Sequence, residues 1–167
     1  MSEVRIRWSV AGDVLLDRAF TRLAIDVADF TPALRDAGDI LYSEIEHQFS
    51  SEGEPAWAPL SPRYAARKAR RYPGKPILQA TGAMMDSLTT NSAPGSVYEL
   101  TPTSLTVGSE LSVGKWCLPL IHYSSAPRAN IPPRPMIRLR KGAKSRIGKA
   151  FRRHFEAEAK RQGVGLQ

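Results

Sequence analysis

The chain has 167 residues, of which 42% are hydrophobic and 24% charged, so its composition predicts one globular domain and argues against global disorder. Its single cysteine, Cys117, excludes an intrachain disulfide framework and a cysteine-clustered metal site, and no apolar run approaches the ~20 residues of a membrane span. The net charge is +8, but residues 1–60 carry five basic and eleven acidic side chains, whereas residues 61–167 carry nineteen basic and five acidic ones. This asymmetry indicates contact with nucleic acid, an acidic partner, self-association of unlike faces, or simply a solvated basic face.

The N-terminal residues predict a strand followed by a helix. Residues 4–10 alternate between apolar and polar side chains, a period that places the apolar ones on one face of a half-buried strand. Gly12 ends the alternation, and Asp13 is predicted to cap a helix that runs to about residue 27.

A second helix is predicted over residues 31–50, with Thr31 as its cap and Pro32 at its first position, where a missing N–H costs nothing. Its apolar stripe consists of residues at heptad-like intervals: Leu34, Leu41, Ile45 and Phe49. Acidic residues lie off that stripe, and we expect them to form an exposed acidic surface: Asp36, Asp39, Glu44 and Glu46.

The middle of the chain predicts two short helices and two strands. Ser61 followed by a proline predicts a strongly basic helix over residues 62–71, and Thr81 is predicted to cap a second short helix. Residues 97–100 and 105–108 are predicted to form strands joined by a turn. Pro119 leaves the apolar residues 116–123 ambiguous between helix and strand.

A loop with four prolines, residues 124–135, leads to an amphipathic and strongly basic helix over residues 142–161. The fold class predicted from these elements is α+β: several helices packed on a small, mostly antiparallel sheet, with a basic C-terminal helix. We expect a single domain over residues 1–162 and a flexible C-terminal tail over residues 163–167.

No group of residues predicts catalysis. The three histidines lie far apart, and no glycine-rich loop with a following Lys-Ser/Thr is present to hold a nucleotide. Cys117 and His122 suggest a thiol–imidazole pair, but a cysteine in an apolar run more often behaves as a small hydrophobe. We therefore expect no enzyme activity, no catalytic residue, no cofactor and no metal site.

Basic residues precede and enter the C-terminal helix, and they are candidates to face DNA or a partner: Arg138, Arg140, Lys141 and Lys144. Phosphate contact requires only such cations, and because no recognisable base-reading motif is present, DNA binding would be independent of sequence. The alternative is a helix whose apolar stripe packs on the core while its charges stay in water.

Short motifs occur along the chain in a particular order: WAPLSPRY at residues 57–64 with Lys68, ILQATG at 77–82, VGS at 107–109, IHY at 121–123 and IPPRP at 131–135. Over about residues 30–155 this set resembles the virion morphogenesis (tail completion) family of tailed phages, typified by Mu-like and P2-like phages. The resemblance implies a structural virion protein that acts at the neck in head–tail joining or tail completion.

Several contacts follow from the resemblance as expectations. The protein would form a ring of copies, touch neighbouring neck, portal-side or tail proteins, make non-specific contact with packaged DNA, and have no membrane partner. It would be located in the virion, and in the host cytoplasm during assembly. One candidate interface residue, Trp57, has an alternative role, in which its side chain covers the domain's own core. The candidate interface residues come from the motifs: Trp57, Pro59, Leu60, Tyr64, Lys68, His122, Tyr123, Ile131, Arg134 and Pro135.

Overall fold

The structure is a computed structural model that describes the backbone of residues 6–8 together with residues 29–123 and 131–161. The described helices are α1 (Thr31–Ser50), α2 (Pro62–Arg71), α3 (Ala83–Thr89), α4 (Leu118–Tyr123) and α5 (Lys141–Arg161). The described strands are β1 (Ile6–Trp8), β2 (Ser96–Leu100), β3 (Leu105–Ser109), β4 (Ser112–Val113) and β5 (Trp116–Cys117). The helix predicted over residues 13–27 and the tail predicted over residues 163–167 lie outside the described residues.

The antiparallel sheet predicted from three segments is confirmed. Strand β3 lies in the middle, with β1 on one side and β2 on the other, and both neighbours run antiparallel to it. Ile6 pairs with Val107, and Tyr98 pairs with the same residue from the opposite side. Residues 112–117 add a separate two-stranded hairpin of β4 and β5, which the sequence pattern did not predict.

Helix α1 is the central element because its buried stripe contacts two hydrophobic clusters. Its N-terminal half packs with strand β3 and helix α5 through Leu34, Leu41, Leu105, Val107 and Phe151. Its C-terminal half packs in the second cluster through Ile45, Phe49, Trp57, Leu88 and Met136. The helix therefore connects the sheet side of the domain to the side that carries α2, α3 and α4.

Glycine allows α1 to approach the sheet closely. A Cβ on Gly38 would lie 3.1 Å from the hydroxyl oxygen of Tyr98 and 3.2 Å from a methyl carbon of Leu105. Separations this short are tighter than ordinary packing, so a side chain at position 38 would require the Tyr98 and Leu105 side chains to shift.

The start of α1 differs from the prediction. Phe30 occupies the capping position without a side-chain hydrogen bond, and Thr31 is already helical. The carboxylate of Asp29 accepts a hydrogen bond from the backbone N–H of Thr31 at 2.8 Å. Thr31 is therefore the first helical residue rather than the cap, and Asp29 satisfies its free backbone N–H.

The predicted exposed acidic surface on α1 is wrong at Glu44, which is only 1% exposed. Its carboxylate accepts hydrogen bonds from the backbone N–H of Arg140 at 2.9 Å, from Nε of Arg140 at 3.0 Å, and from guanidinium nitrogens of Arg140 and Arg146. Asp36 is exposed as predicted, but it forms an ion pair with Arg153 at 3.0 Å. Acidic side chains of α1 are therefore neutralised by arginines of the C-terminal segment of the same chain.

Candidate partner-docking pocket

A pocket of about 460 Å³ lies between α2, α3, α4 and the segment that follows residue 130. Much of its wall is apolar and includes Leu78, Met84, Leu111 and Leu118. Seven of the residues predicted to contact a partner line it together: Pro59, Leu60, Tyr64, Lys68, His122, Ile131 and Arg134. Motifs separated by up to 75 residues of sequence therefore converge on one concave surface.

Trp57 fixes the loop that forms one side of the pocket. It is buried, packs edge-on against Phe49 with ring centroids 5.6 Å apart, and donates a hydrogen bond from Nε1 to the carbonyl oxygen of Pro135 at 3.0 Å. The prediction that Trp57 contacts a partner is therefore corrected, because its side chain covers the domain's own core. The carbonyl oxygen of Pro135 accepts the hydrogen bond that a buried indole N–H needs.

Arg134 also holds the loop that contains Trp57. It is 4% exposed, and its guanidinium donates to the carbonyl oxygens of Ala58 at 3.0 Å and Pro59 at 3.2 Å. Its backbone N–H donates to the carbonyl oxygen of His122 at 2.6 Å, which ties the loop to α4. Burial lowers the pKa of Arg134, although a guanidinium stays charged at neutral pH.

Lys68 is the second buried cation of the pocket and is 7% exposed. Its Nζ donates to the carbonyl oxygens of Lys75 and Pro76, which folds the turn after α2 back onto that helix. Burial lowers the pKa of Lys68, and the nearby Glu52 carboxylate opposes that shift. Neither Lys68 nor Arg134 forms an ion pair with a described residue.

His122 lines the pocket with a half-buried side chain. Its Nδ1 is buried and has no hydrogen-bond partner within the described part of the chain. Burial and the nearby positive charge of Arg134 lower the pKa of His122, so the ring is neutral at pH 7. A neutral imidazole nitrogen can donate or accept one further hydrogen bond, depending on the tautomer. Because Nδ1 is buried, the accessible wall of the pocket is mostly apolar, and the pocket suits an apolar side chain.

The candidate nucleophile Cys117 lies away from this surface. Cys117 does not line the pocket, and its Sγ lies 3.9 Å from the carbonyl oxygen of Ser109. No hydrogen bond between Cys117 and His122 is present among residues 29–123 and 131–161, and no three potential ligands cluster there to hold a metal ion.

A sequence-profile match shows the family to which the chain belongs. The sequence profile of the Phage virion morphogenesis family matches residues 13–156. The chain belongs to this family. Neither the curated proteins nor the solved structures give a significant match. Membership confirms the resemblance found in the sequence and assigns the chain to the virion-associated assembly proteins of bacteriophages.

Within this member of the phage virion morphogenesis family, the predicted contact residues divide into two groups. Trp57, Lys68 and Arg134 are buried and hold loops in place. Tyr64 and Tyr123 are large exposed residues, at 41% and 47%, but only Tyr64 lines the pocket. None of the helices in the described ranges combines the length and hydropathy needed to cross a membrane.

The predicted basic candidates near α5 do not form one uniform set. Arg138, Lys141 and Lys144 are exposed. The guanidinium of Arg140 is bound to Glu44 and stabilises the fold. The prediction that Arg140 is a free cation for phosphate or a partner is therefore corrected. Sequence inspection missed this because Glu44 and Arg140 are 96 residues apart and no local pattern links them.

Proposed function

We propose that this protein is a non-enzymatic structural subunit at the virion neck that acts in head–tail joining or tail completion as a ring of copies. Family membership supports an assembly role, and the convergence of its motifs on one pocket carries the more specific proposal. The buried residues Trp57, Lys68 and Arg134 fix the loops around the pocket before any partner arrives. Prearranged loops lose less entropy on docking, which is an advantage for an assembly joint.

The proposed occupant of the pocket is a segment of a neighbouring subunit or neck protein. Its anchor is an apolar side chain that fits the mostly apolar wall of the pocket. In a rotationally symmetric ring each subunit presents two different surfaces, so this pocket and its ligand segment lie on unlike faces. The ring closes when each pocket receives the segment of the next subunit.

An extract complementation assay tests the proposal. Extracts from an infection that lacks this protein receive purified wild type or an Ala83→Trp variant, in which the indole fills the pocket from its exposed edge. The matched control is Val113→Trp, which adds the same side chain at a position that is 62% exposed and outside the pocket. We expect Val113→Trp to restore infectious particles and Ala83→Trp to leave heads and tails unjoined.

Native mass spectrometry of the same proteins separates folding from docking. Wild type and Val113→Trp should give one closed oligomer, whereas Ala83→Trp should remain a folded monomer with an unchanged unfolding midpoint. Full activity of Ala83→Trp would refute the pocket as the docking site. Infectious virions that assemble without this polypeptide would refute the joining role itself.

The alternative function is a basic nucleic-acid-binding accessory protein without sequence preference, which the net charge of +8 favours. An isolated monomer that shifts duplex DNA in a salt-sensitive manner, and forms no ring under any condition, would support that alternative.

A further inference from the structure

Helix α2 carries a concentrated positive surface that the proposed docking role does not use. Four of its arginines recur at intervals of three, four and seven residues, which places them on one side of the helix: Arg63, Arg67, Arg70 and Arg71. All four are exposed, and together with Ala66 they line a shallow depression. We call these four residues the α2 arginine face.

The charges of this face are not neutralised within the described part of the chain. Arginines elsewhere do find carboxylates: Arg140 and Arg146 bind Glu44, and Arg153 binds Asp36. By contrast, no member of the α2 arginine face forms an ion pair with any residue in the ranges 29–123 and 131–161. Four like charges within about 12 Å of helix repel one another, so an anionic ligand would relieve that repulsion.

Two aromatic rings orient the face. The guanidinium of Arg67 lies 5.1 Å from the ring centroid of Tyr64, and that of Arg71 lies 5.6 Å from the ring centroid of Tyr72. Such stacking restricts the arginine rotamers but leaves the guanidinium edges free to donate hydrogen bonds. The face is therefore partly preorganised rather than a set of independently moving charges.

Lys68 lies on a different side of α2 from the arginine face. Lys68 is buried there and bonds to the backbone of the following turn, which fixes the C-terminal end of the helix. The arginine face therefore lies on a helix whose C-terminal end is tied to the following turn.

The composition of the face indicates phosphates rather than a protein surface. Interfaces between proteins usually have an apolar or aromatic centre, whereas the depression between these arginines is otherwise lined by Ala66. Tyr64 and Tyr72 stack on two of the arginines but do not line that depression. Surfaces that bind DNA are strongly positive and need no apolar centre, because they release counterions from the phosphate backbone. We propose that the α2 arginine face binds the phosphate backbone of duplex DNA without reading its sequence.

DNA binding by this face goes beyond a structural joining role. It also places the main phosphate contact on α2, whereas the sequence had indicated the basic residues that precede and enter α5. There Arg140 is already committed to Glu44, whereas the whole α2 arginine face is available. Phosphate contacts position a protein on DNA without specifying bases, which suits a virion component that meets any part of a genome.

The test measures binding of the full chain to a random-sequence duplex as a function of salt concentration. The first variant replaces the four arginines of the α2 face by glutamine. The matched control replaces four exposed, unpaired cations of α5 by glutamine: Lys144, Lys149, Arg152 and Lys160. Both variants remove the same charge, so a difference between them reports position rather than net charge.

Each phosphate contact contributes about 0.9 to the slope of log affinity against log salt. We expect the α2 variant to reduce the magnitude of that slope by about 3 and to weaken DNA binding at least about 100-fold at low salt. The α5 control should change the slope by less than about 1. A further variant with four lysines in place of the arginines should keep most of the slope, because phosphates accept either cation. Circular dichroism and unfolding midpoints confirm that each variant is folded, and if the fourfold variant is not, the Arg63/Arg67 and Arg70/Arg71 pairs are tested separately.

Equal losses in the α2 variant and the α5 control would overturn the proposal, since binding would then depend on net charge alone. So would a wild-type slope in the α2 variant. If that variant kept its DNA affinity but failed in complementation, the face would be a protein contact instead. DNA binding is measured on the isolated chain, so its outcome is separable from that of the ring assembly.

Discussion

Glu44 provides the sharpest prediction about the fold, because it joins α1 to the segment entering α5. Hydrogen bonds from Arg140, opposed by partial burial, hold the pKa of the Glu44 carboxyl at about 2, against an ordinary value of 4.5. A difference of that size corresponds to about 3 kcal/mol of stability at neutral pH. The partner arginines Arg140 and Arg146 are 39% and 47% exposed, so solvent screening reduces the expected contribution to about 2 kcal/mol.

The perturbation is Glu44→Gln, which keeps the shape of the side chain but removes the charge. We expect the free energy of unfolding to fall by about 2 kcal/mol at pH 7 and the midpoint temperature to fall by roughly 4–8 °C. Glu46→Gln is the matched control on the same helix, and since Glu46 is exposed its effect should stay within about 0.5 kcal/mol.

The dependence on pH identifies the cause. Because the folded-state pKa of Glu44 lies below the unfolded-state value, its contribution is complete above about pH 5 and is lost as the pH falls toward 2. Urea titrations at pH 7 and pH 3 should therefore show the difference between wild type and Glu44→Gln shrinking by more than half. An equal difference at both pH values, or a loss below about 0.5 kcal/mol at pH 7, would refute the ion-pair account.

Three further predictions concern the loops around the pocket. Urea unfolding should show that Gly53→Ala lowers the free energy of unfolding by at least about 2 kcal/mol more than Gly74→Ala does. Both glycines have positive φ, at +97° and +70°, but only at Gly53 would a Cβ overlap the Trp57 indole. Trp57→Phe should lower stability by about 2–3 kcal/mol, because it leaves the Pro135 carbonyl without its indole donor and removes core surface. Burial lowers the folded-state pKa of His122 below its ordinary 6.5, so its contribution is present above pH 6.5 and lost on acidification. Between pH 7 and pH 5 the free energy of unfolding should therefore fall less for His122→Gln than for wild type. An equal fall in both proteins would contradict this explanation.

Elements with strong local signals could be predicted from the sequence. Prolines at helix starts predicted the bounds of α1 to within one residue and those of α2 as observed, since proline fits the first turn. Short runs of β-forming residues predicted β2 and β3 to within one residue at each end. The antiparallel arrangement of the sheet followed from these runs together with the alternation near the N-terminus.

Features that depend on tertiary contacts were not predictable in the same way. Glu44, Lys68 and Arg134 are charged, and such residues are exposed in most proteins unless a partner stabilises them. Their partners are a distant arginine pair or backbone carbonyl oxygens, neither of which leaves a periodic signal. Thr81 also failed as a cap: Gly82, with φ +85°, occupies that position before α3.

The candidate site shows the same division. The motifs identified most of the residues that line the pocket, but they could not separate loop-fixing side chains such as Trp57 from exposed ones such as Tyr64. Orientation depends on packing against Phe49, which a list of motifs does not contain.

A reconstruction of the intact virion neck by electron cryomicroscopy tests the central claim most directly. We expect a closed ring of this chain at the head–tail junction, with a neighbouring polypeptide segment seated between Tyr64 and His122 in every copy. A neck that lacks this chain, or a ring whose pockets all open onto solvent, would contradict it.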